Sequence, residues 1–188
     1  MRRPLPLALA ALALLAGCAA YTRLTLSVDV AALLPENALS APAPATAGTY
    51  RLLVPSGSAG YTLDLPRTSA MDRIDFQLEA AVEVTSGTPG ATRLSLYVAP
   101  GGTDPLAAPA NQAAQSDPVT LTPGQATPVS LLLNVPASPP SALHDLIAGG
   151  QFEIQAEASG TSASGSVQVT LTRLRVQLSG ESADILHL

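Results

Sequence analysis

The sequence predicts an all-β domain, an antiparallel sandwich of about nine strands with at most one short helix. Three observations predict it. Apolar and polar residues alternate with period two along several stretches, and no stretch sustains a helical period. Seventeen Pro and fourteen Gly imply many turns and leave little room for long helices. The composition is 47% hydrophobic but only 3% aromatic, with no Trp, so the core must be built from Val, Leu, Ile and Ala. An immunoglobulin-like or a jelly-roll sandwich satisfies these conditions. With one Cys and no Trp, the Cys…Trp…Cys signature of true immunoglobulin domains is absent.

The chain opens with Arg2 and Arg3, followed by an apolar run over residues 5–16 that ends in Leu15-Ala16-Gly17-Cys18. The run is shorter than the roughly 20 residues needed to span a bilayer, and Pro4 and Pro6 break its start. A positive n-region, a short apolar h-region and small residues at the end describe an export signal. The last four residues resemble the lipobox of bacterial lipoproteins: an aliphatic residue, two small residues and an obligatory Cys. The resemblance covers only the export signal. It implies that the Cys18 thiol takes a diacylglyceryl group, and that residues 1–17 are then removed. Multiple acyl chains such as palmitate would anchor the protein in the cell envelope far more firmly than one chain can. Ala19, and not Asp, follows the Cys, which by resemblance to the sorting rule of diderm bacteria implies the outer membrane. Residues 18–188 would form one domain of 188 − 17 = 171 residues, large enough for its own core.

Charge excludes some partners. The chain carries −5, and loss of Arg2 and Arg3 leaves −5 − 2 = −7. No basic footprint for nucleic acid or polybasic grip on anionic lipid is present. With its one Cys lipidated, the mature protein would have neither disulfide nor free thiol.

The strands follow in order. Leu24, Leu26, Val28 and Val30 alternate with Arg23, Thr25, Ser27 and Asp29. Ile74, Phe76, Leu78, Ala80, Val82 and Val84 form a second apolar face, and Phe152, Ile154, Ala156 and Ala158 a third. Each reads as a strand with one side on a core and one in water. Weaker strands are expected at 50–54, 61–65, 118–121 and 127–135.

Two hairpins can be registered. The turn cluster at 86–90 pairs Glu83 with Arg93, Val82 with Leu94 and Ala80 with Leu96. A second hairpin joins 151–158 to 166–178 through 160–165. Its return strand changes phase, odd at Val167, Val169 and Leu171 but even at Leu174, Val176 and Leu178. A β-bulge near Thr172 or Arg173 reconciles the halves and brings Arg173 and Arg175 near Glu153 and Gln151. Long loops are expected at 31–49, 99–117 and 136–150, the last with one short helix over 141–148 that stops at Gly149-Gly150.

Chemistry is sparse. His144 and His187 are the only histidines, too few for a zinc site, and are expected to be solvated or capping. Residues 160–164 miss G-x-S-x-G at the last position, and without Lys no P-loop can form. Asp75, Glu79 and Glu83 share one strand face, and Glu153 and Glu157 another. Arg73, Arg93, Arg173 and Arg175 lie in the same strands, so solvated cross-strand ion pairs account for the set. Asp104, Asn111 and Asp117 match no EF-hand or RTX spacing. Tyr97 points outward, opposite Glu79 in this register, while Tyr21, Tyr50 and Tyr61 sit at strand edges or starts and Phe76 and Phe152 in the core. Exposed aromatic stacking surface for sugars is therefore scarce.

The expectation is a non-enzymatic envelope lipoprotein, an accessory, scaffold or adhesion module with no cofactor and no metal. It would be membrane-anchored at Cys18 and meet an envelope protein through its long loops. A lipoprotein binding a small ligand or glycan is the alternative. A hydrolase is the third reading, since no nucleophile–base pair is visible.

Overall fold

The computed structural model describes residues 23–45, 48–56, 60–65, 71–88, 90–139, 141–162 and 164–181. Eleven strands form two antiparallel sheets. They are β1 (Arg23–Asp29), β2 (Ser40–Ala45), β3 (Gly48–Val54), β4 (Tyr61–Asp64), β5 (Met71–Thr88), β6 (Ala91–Pro100), β7 (Gln112–Gln115), β8 (Val119–Thr120), β9 (Ala126–Pro136), β10 (Gln151–Ser162) and β11 (Ser164–Glu181). A one-turn helix α1 (Glu36–Leu39) and the helix α2 (Ala142–Ala148) complete the regular elements, apart from two short 3-10 turns. Cys18, residues 1–17, Tyr21 and His187 lie outside the described residues.

Three of the positions are split. β1 and β2 lie end to end along one side of β11, β3 and β4 along one side of β10, and β7 and β8 along one side of β6. The first sheet is then β1/β2–β11–β5–β9, and the second β3/β4–β10–β6–β7/β8. Every connection between these positions crosses to the other sheet except β6 to β7. This is the connectivity of a jelly roll, one of the two sandwiches the sequence admits.

The alternation places the core as expected. Ile74, Phe76, Leu78, Ala80, Val82 and Val84 of β5 face Phe152, Ile154, Ala156 and Ala158 of β10 between the sheets, all buried. Phe76 and Phe152, the two largest fully buried side chains among the described residues, are 1% and 0% exposed. Burial of each contributes about 2–3 kcal/mol. Thr172 is the residue that β11 carries in excess: Leu171 pairs with Ala80 and Arg173 with Glu79. This bulge lets Val167, Val169 and Leu171 and then Leu174, Val176 and Leu178 all point inward.

Both expected hairpins are overturned. β5 pairs with β9 and β11, and β6 with β10, β7 and β8, so Glu83 lies beside Gln168 and Ala126 instead of Arg93. β10 and β11 belong to different sheets. Arg173 therefore meets Glu79, and Arg175 stands beside Gln77, far in register from Glu153 and Gln151. Alternation alone cannot separate the cases. An apolar face meets an apolar partner equally well beside it in a hairpin or across the core.

The 31–49 segment is not a loop. It turns through α1 and runs as β2, with Pro42 opposite Gln168. Proline is tolerated there because β2 is an edge strand whose other side needs no donor. In β1 the expected inner face is incomplete: Val28 is half-buried, Val30 fully buried, but Leu26 is 43% exposed. The expected helix forms, with the Ser141 hydroxyl accepting a bond from His144 N as its N-cap.

Candidate functional site

The outer face of the second sheet departs most from expectation. Glu153, Gln155 and Glu157 alternate with the core residues of β10 and should be wet. Instead they are 7%, 0% and 6% exposed. Segments distant in sequence cover them. Arg51 of β3 reaches Glu157, its Nε 2.5 Å from Oε2. Thr62 of β4 donates to Glu153 Oε1 at 2.8 Å, and the Gly102 amide donates to the same oxygen at 3.1 Å. Gln155 Nε2 donates to the Pro55 carbonyl at 3.2 Å. Beside them Gln115 of β7 donates to Ser95 at 3.2 Å.

Electrostatics follow the geometry. The Glu157 hydrogen bond holds the Arg51 guanidinium above its usual pKa, against a smaller opposing effect of burial. Tyr97, opposite Gln155 and not Glu79, has its phenol raised first by burial and then by the charge of Glu157. Burial also raises the phenol of Tyr50, which lies near the start of the edge strand β3 and is buried. The two carboxylates sit four residues apart on one strand, so their Cα atoms are separated by ~13 Å. Each is held by its own donors. The network ties β3, β4 and the loop after β6 to β10.

The first sheet carries the solvated pairs that the sequence suggests. Arg73 meets Asp75 at 2.8 Å and Arg173 meets Glu79 at 3.0 Å. Asn134 of β9 also donates to Asp75, and Gln77 to Glu79. Arg93 reaches Gln115, not a carboxylate. Here Arg73, Gln77, Asn134, Arg175 and Gln177 line a shallow groove of about 380 Å³ with Leu132 on its rim.

The expected 99–117 loop is interrupted by β7, and its stretch 101–111 meets the segment 137–150 at one end of the sandwich. Leu143 and Leu146 of α2, with Pro100, Ala110 and Ala113, line a cleft of about 660 Å³ between them. His144 is buried rather than solvated, and its Nε2 donates to the Met71 carbonyl at 3.1 Å. Met71 pairs with Gly180 at the end where β1 begins, and Arg23 there reaches Asp72. The two segments thus share the end at which the chain enters from Cys18. Asp104 caps the Leu106 amide, at 2.9 Å. Among the described residues, no group of three or more His, Cys, Asp and Glu could hold a metal ion.

No protein-family profile matches the chain, and no curated protein matches it in sequence. Among solved structures, it is similar to the protein of T=1 particles derived from infectious bursal virus, at 10% identity and a TM-score of 0.45 over 87% of this chain. The chain spans about a third of that protein, 33%. It is also similar to the sugar-binding C-terminal domain of EclA, at 15% identity and TM-score 0.33, over 70% of this chain and 79% of that one. A third likeness is to the CBM22-1-GH10 modules of Clostridium thermocellum xylanase 10B, at 9% identity and TM-score 0.34, over 70% of this chain and 26% of that one. All three scores fall below 0.5, and neither ligand nor activity follows from them.

The partners of the buried carboxylates had no local signal. Arg51 is 106 residues from Glu157, and Thr62 is 91 from Glu153. The only hint was that Arg51 is the one charge within the 50–54 strand.

Proposed function

We propose that this chain is a cell-envelope lipoprotein, anchored through lipid on Cys18, whose jelly roll serves as a non-enzymatic accessory, scaffold or adhesion module. The observation that carries the reading is Leu15-Ala16-Gly17-Cys18 standing just ahead of a folded sandwich. Only residues 19–22 separate the Cys from Arg23, the first residue of β1. At 3.3–3.6 Å per residue such a tether reaches at most ~18 Å. The cleft between α2 and the β6–β7 loop then lies toward the bilayer, and the sheet faces, edges and opposite turns meet other envelope components. In a diderm host the membrane is the outer one.

A non-enzymatic role is supported by Glu153 and Glu157. Each is occupied by structural donors, Arg51 on Glu157 and Thr62 and the Gly102 amide on Glu153. A second reading, binding of a small polar ligand or glycan, is favoured by the amide- and guanidinium-lined groove on the first sheet.

Metabolic labelling with palmitate tests the anchor. The wild-type protein incorporates label and partitions with membranes, while Cys18→Ser does neither. Retention of label by Cys18→Ser would overturn the reading.

A further inference from the structure

A sandwich has four sheet edges, and three of these are blunted. The β1/β2, β3/β4 and β7/β8 edges are each broken into short pieces, and Pro42 and Pro44 lie in the first. Short, Pro-bearing edges prevent pairing with other chains. β9 is the exception. It runs unbroken for 11 residues and, among the described residues, pairs with β5 alone. It carries no charge from end to end. Leu132 at its middle is 74% exposed, more than any other large apolar side chain described.

Residues 128–136 read Pro-Val-Ser-Leu-Leu-Leu-Asn-Val-Pro, nearly a palindrome about Leu132. In an isologous antiparallel contact residue i meets residue j of the partner and j meets i, so a near-palindrome sets like residues on like. Antiparallel pairing of β9 with β9 of a second copy about Leu132 sets Leu132 on Leu132, Leu131 on Leu133, Ser130 on Asn134 and Val129 on Val135. Pro128 meets Pro136 at either end.

The backbone agrees with this register. Pro128 and Pro136 have no N–H, so within a strand paired to β5 they occupy positions whose amide side faces the open edge. Backbone direction alternates along a strand, so Ser130, Leu132 and Asn134 also present N–H and C=O outward. Those three form narrow hydrogen-bonded pairs in this register, about six bonds in all. Both proline pairs fall where the ladder stops.

We infer that β9 is a homophilic docking edge, and that two copies of this chain associate by antiparallel β9–β9 pairing centred on Leu132. The absence of charge suits a second copy, since two chains of the same negative net charge bring no like charges together along this strip. Pairing reverses the second copy, so the two ends bearing the chain entry point in opposite directions. On the lipid-anchor reading, on which this consequence rests, the two anchors stand on opposite sides of the pair. A β9 of ~36 Å is longer than the ~18 Å tether. The partner is then a copy on a facing membrane.

The test uses the full lipidated chain in detergent, followed by sedimentation. A dimer is expected, and Leu132→Lys weakens it by about tenfold or more by setting like charges opposite one another. Leu132 is exposed, so this variant keeps the fold, verified by its melting temperature. In Leu132→Cys the paired Cα atoms lie ~5.5 Å apart, within disulfide reach, and peptide mapping finds residue 132 linked to residue 132. A monomer at the highest soluble concentration, or a dimer that Leu132→Lys leaves unchanged, overturns the inference. Vesicles carrying the lipidated protein should cluster, and dispersed vesicles alongside a dimer in detergent would overturn the facing arrangement. Palmitate labelling reads the anchor separately from all of these.

Discussion

Arg51 of β3 and Glu157 of β10 form an ion pair across the outer face of the second sheet, with the arginine side chain 54% exposed and the glutamate side chain 8%. The asymmetry sets the expected energetics. Arg51→Ala leaves a nearly buried carboxylate without its cation and lowers the unfolding free energy by about 1–2 kcal/mol, reduced by solvent reaching the arginine side. Arg73→Ala removes the more exposed partner of Asp75 and costs below about 1 kcal/mol. Urea denaturation of both variants checks this, and equal losses would contradict it.

His144 joins α2 to the first residue of β5 through the Met71 carbonyl. The carbonyl can only accept, so Nε2–H is the donor of this bond. His144→Ala deletes a ring that is 6% exposed and leaves the carbonyl unpaired, at a cost of about 2–3 kcal/mol. His144→Gln, which keeps a donor, should lose less. Hydrogen exchange should show the His144→Ala loss first in residues 142–148, since that bond anchors the helix; uniform loss across the sandwich would contradict this.

These two contacts show where sequence reading stops. The inward positions of β5 and the bulge at Thr172 were legible because period two and its change of phase are local properties. The Ser141 cap and the Gly149-Gly150 stop were legible for the same reason. The partner of each strand was not. Val82 packs inward whether Leu94 lies beside it or across the core, and alternation is the same in both. Nor was the burial of Glu153 and Glu157, which depends on Thr62, Gly102 and Arg51 arriving from elsewhere in the chain. Pro42 and Pro44 look like loop residues until β2 is known to be an edge.

Gly160 of β10 pairs with Tyr50 of β3 and Thr92 of β6. A Cβ there would come within 2.3 Å of the Ala91 carbonyl oxygen and 2.6 Å of the Tyr50 hydroxyl. The first contact is backbone, so relief requires opening the β10–β6 ladder. Gly160→Ala should lose about 1–3 kcal/mol, and adding Tyr50→Phe should restore only part of it. Gly124 differs: its φ of +66° strains any other residue, but its Cβ would meet open space. Gly124→Ala should cost about 1 kcal/mol. Thermal melts that place Gly124→Ala below Gly160→Ala would reverse this account.

Tyr50 and Tyr97 make the protein sensitive to alkali. Burial raises both phenols, with the Thr92 hydroxyl opposing it at Tyr50 and the Glu157 charge reinforcing it at Tyr97. In the unfolded chain a phenol ionises near 10. Above that pH the unfolded state has released protons that the folded state still holds, so stability falls as pH rises. Below it both states hold the proton and the contribution is constant. Their contribution to the unfolding free energy should therefore be level up to about pH 10 and decline beyond it. Tyr50→Phe removes one of the two groups and should flatten the decline, and phenolate absorbance of the folded protein should appear at higher pH than in denaturant. A decline as steep in Tyr50→Phe as in the wild type would move its origin to other groups.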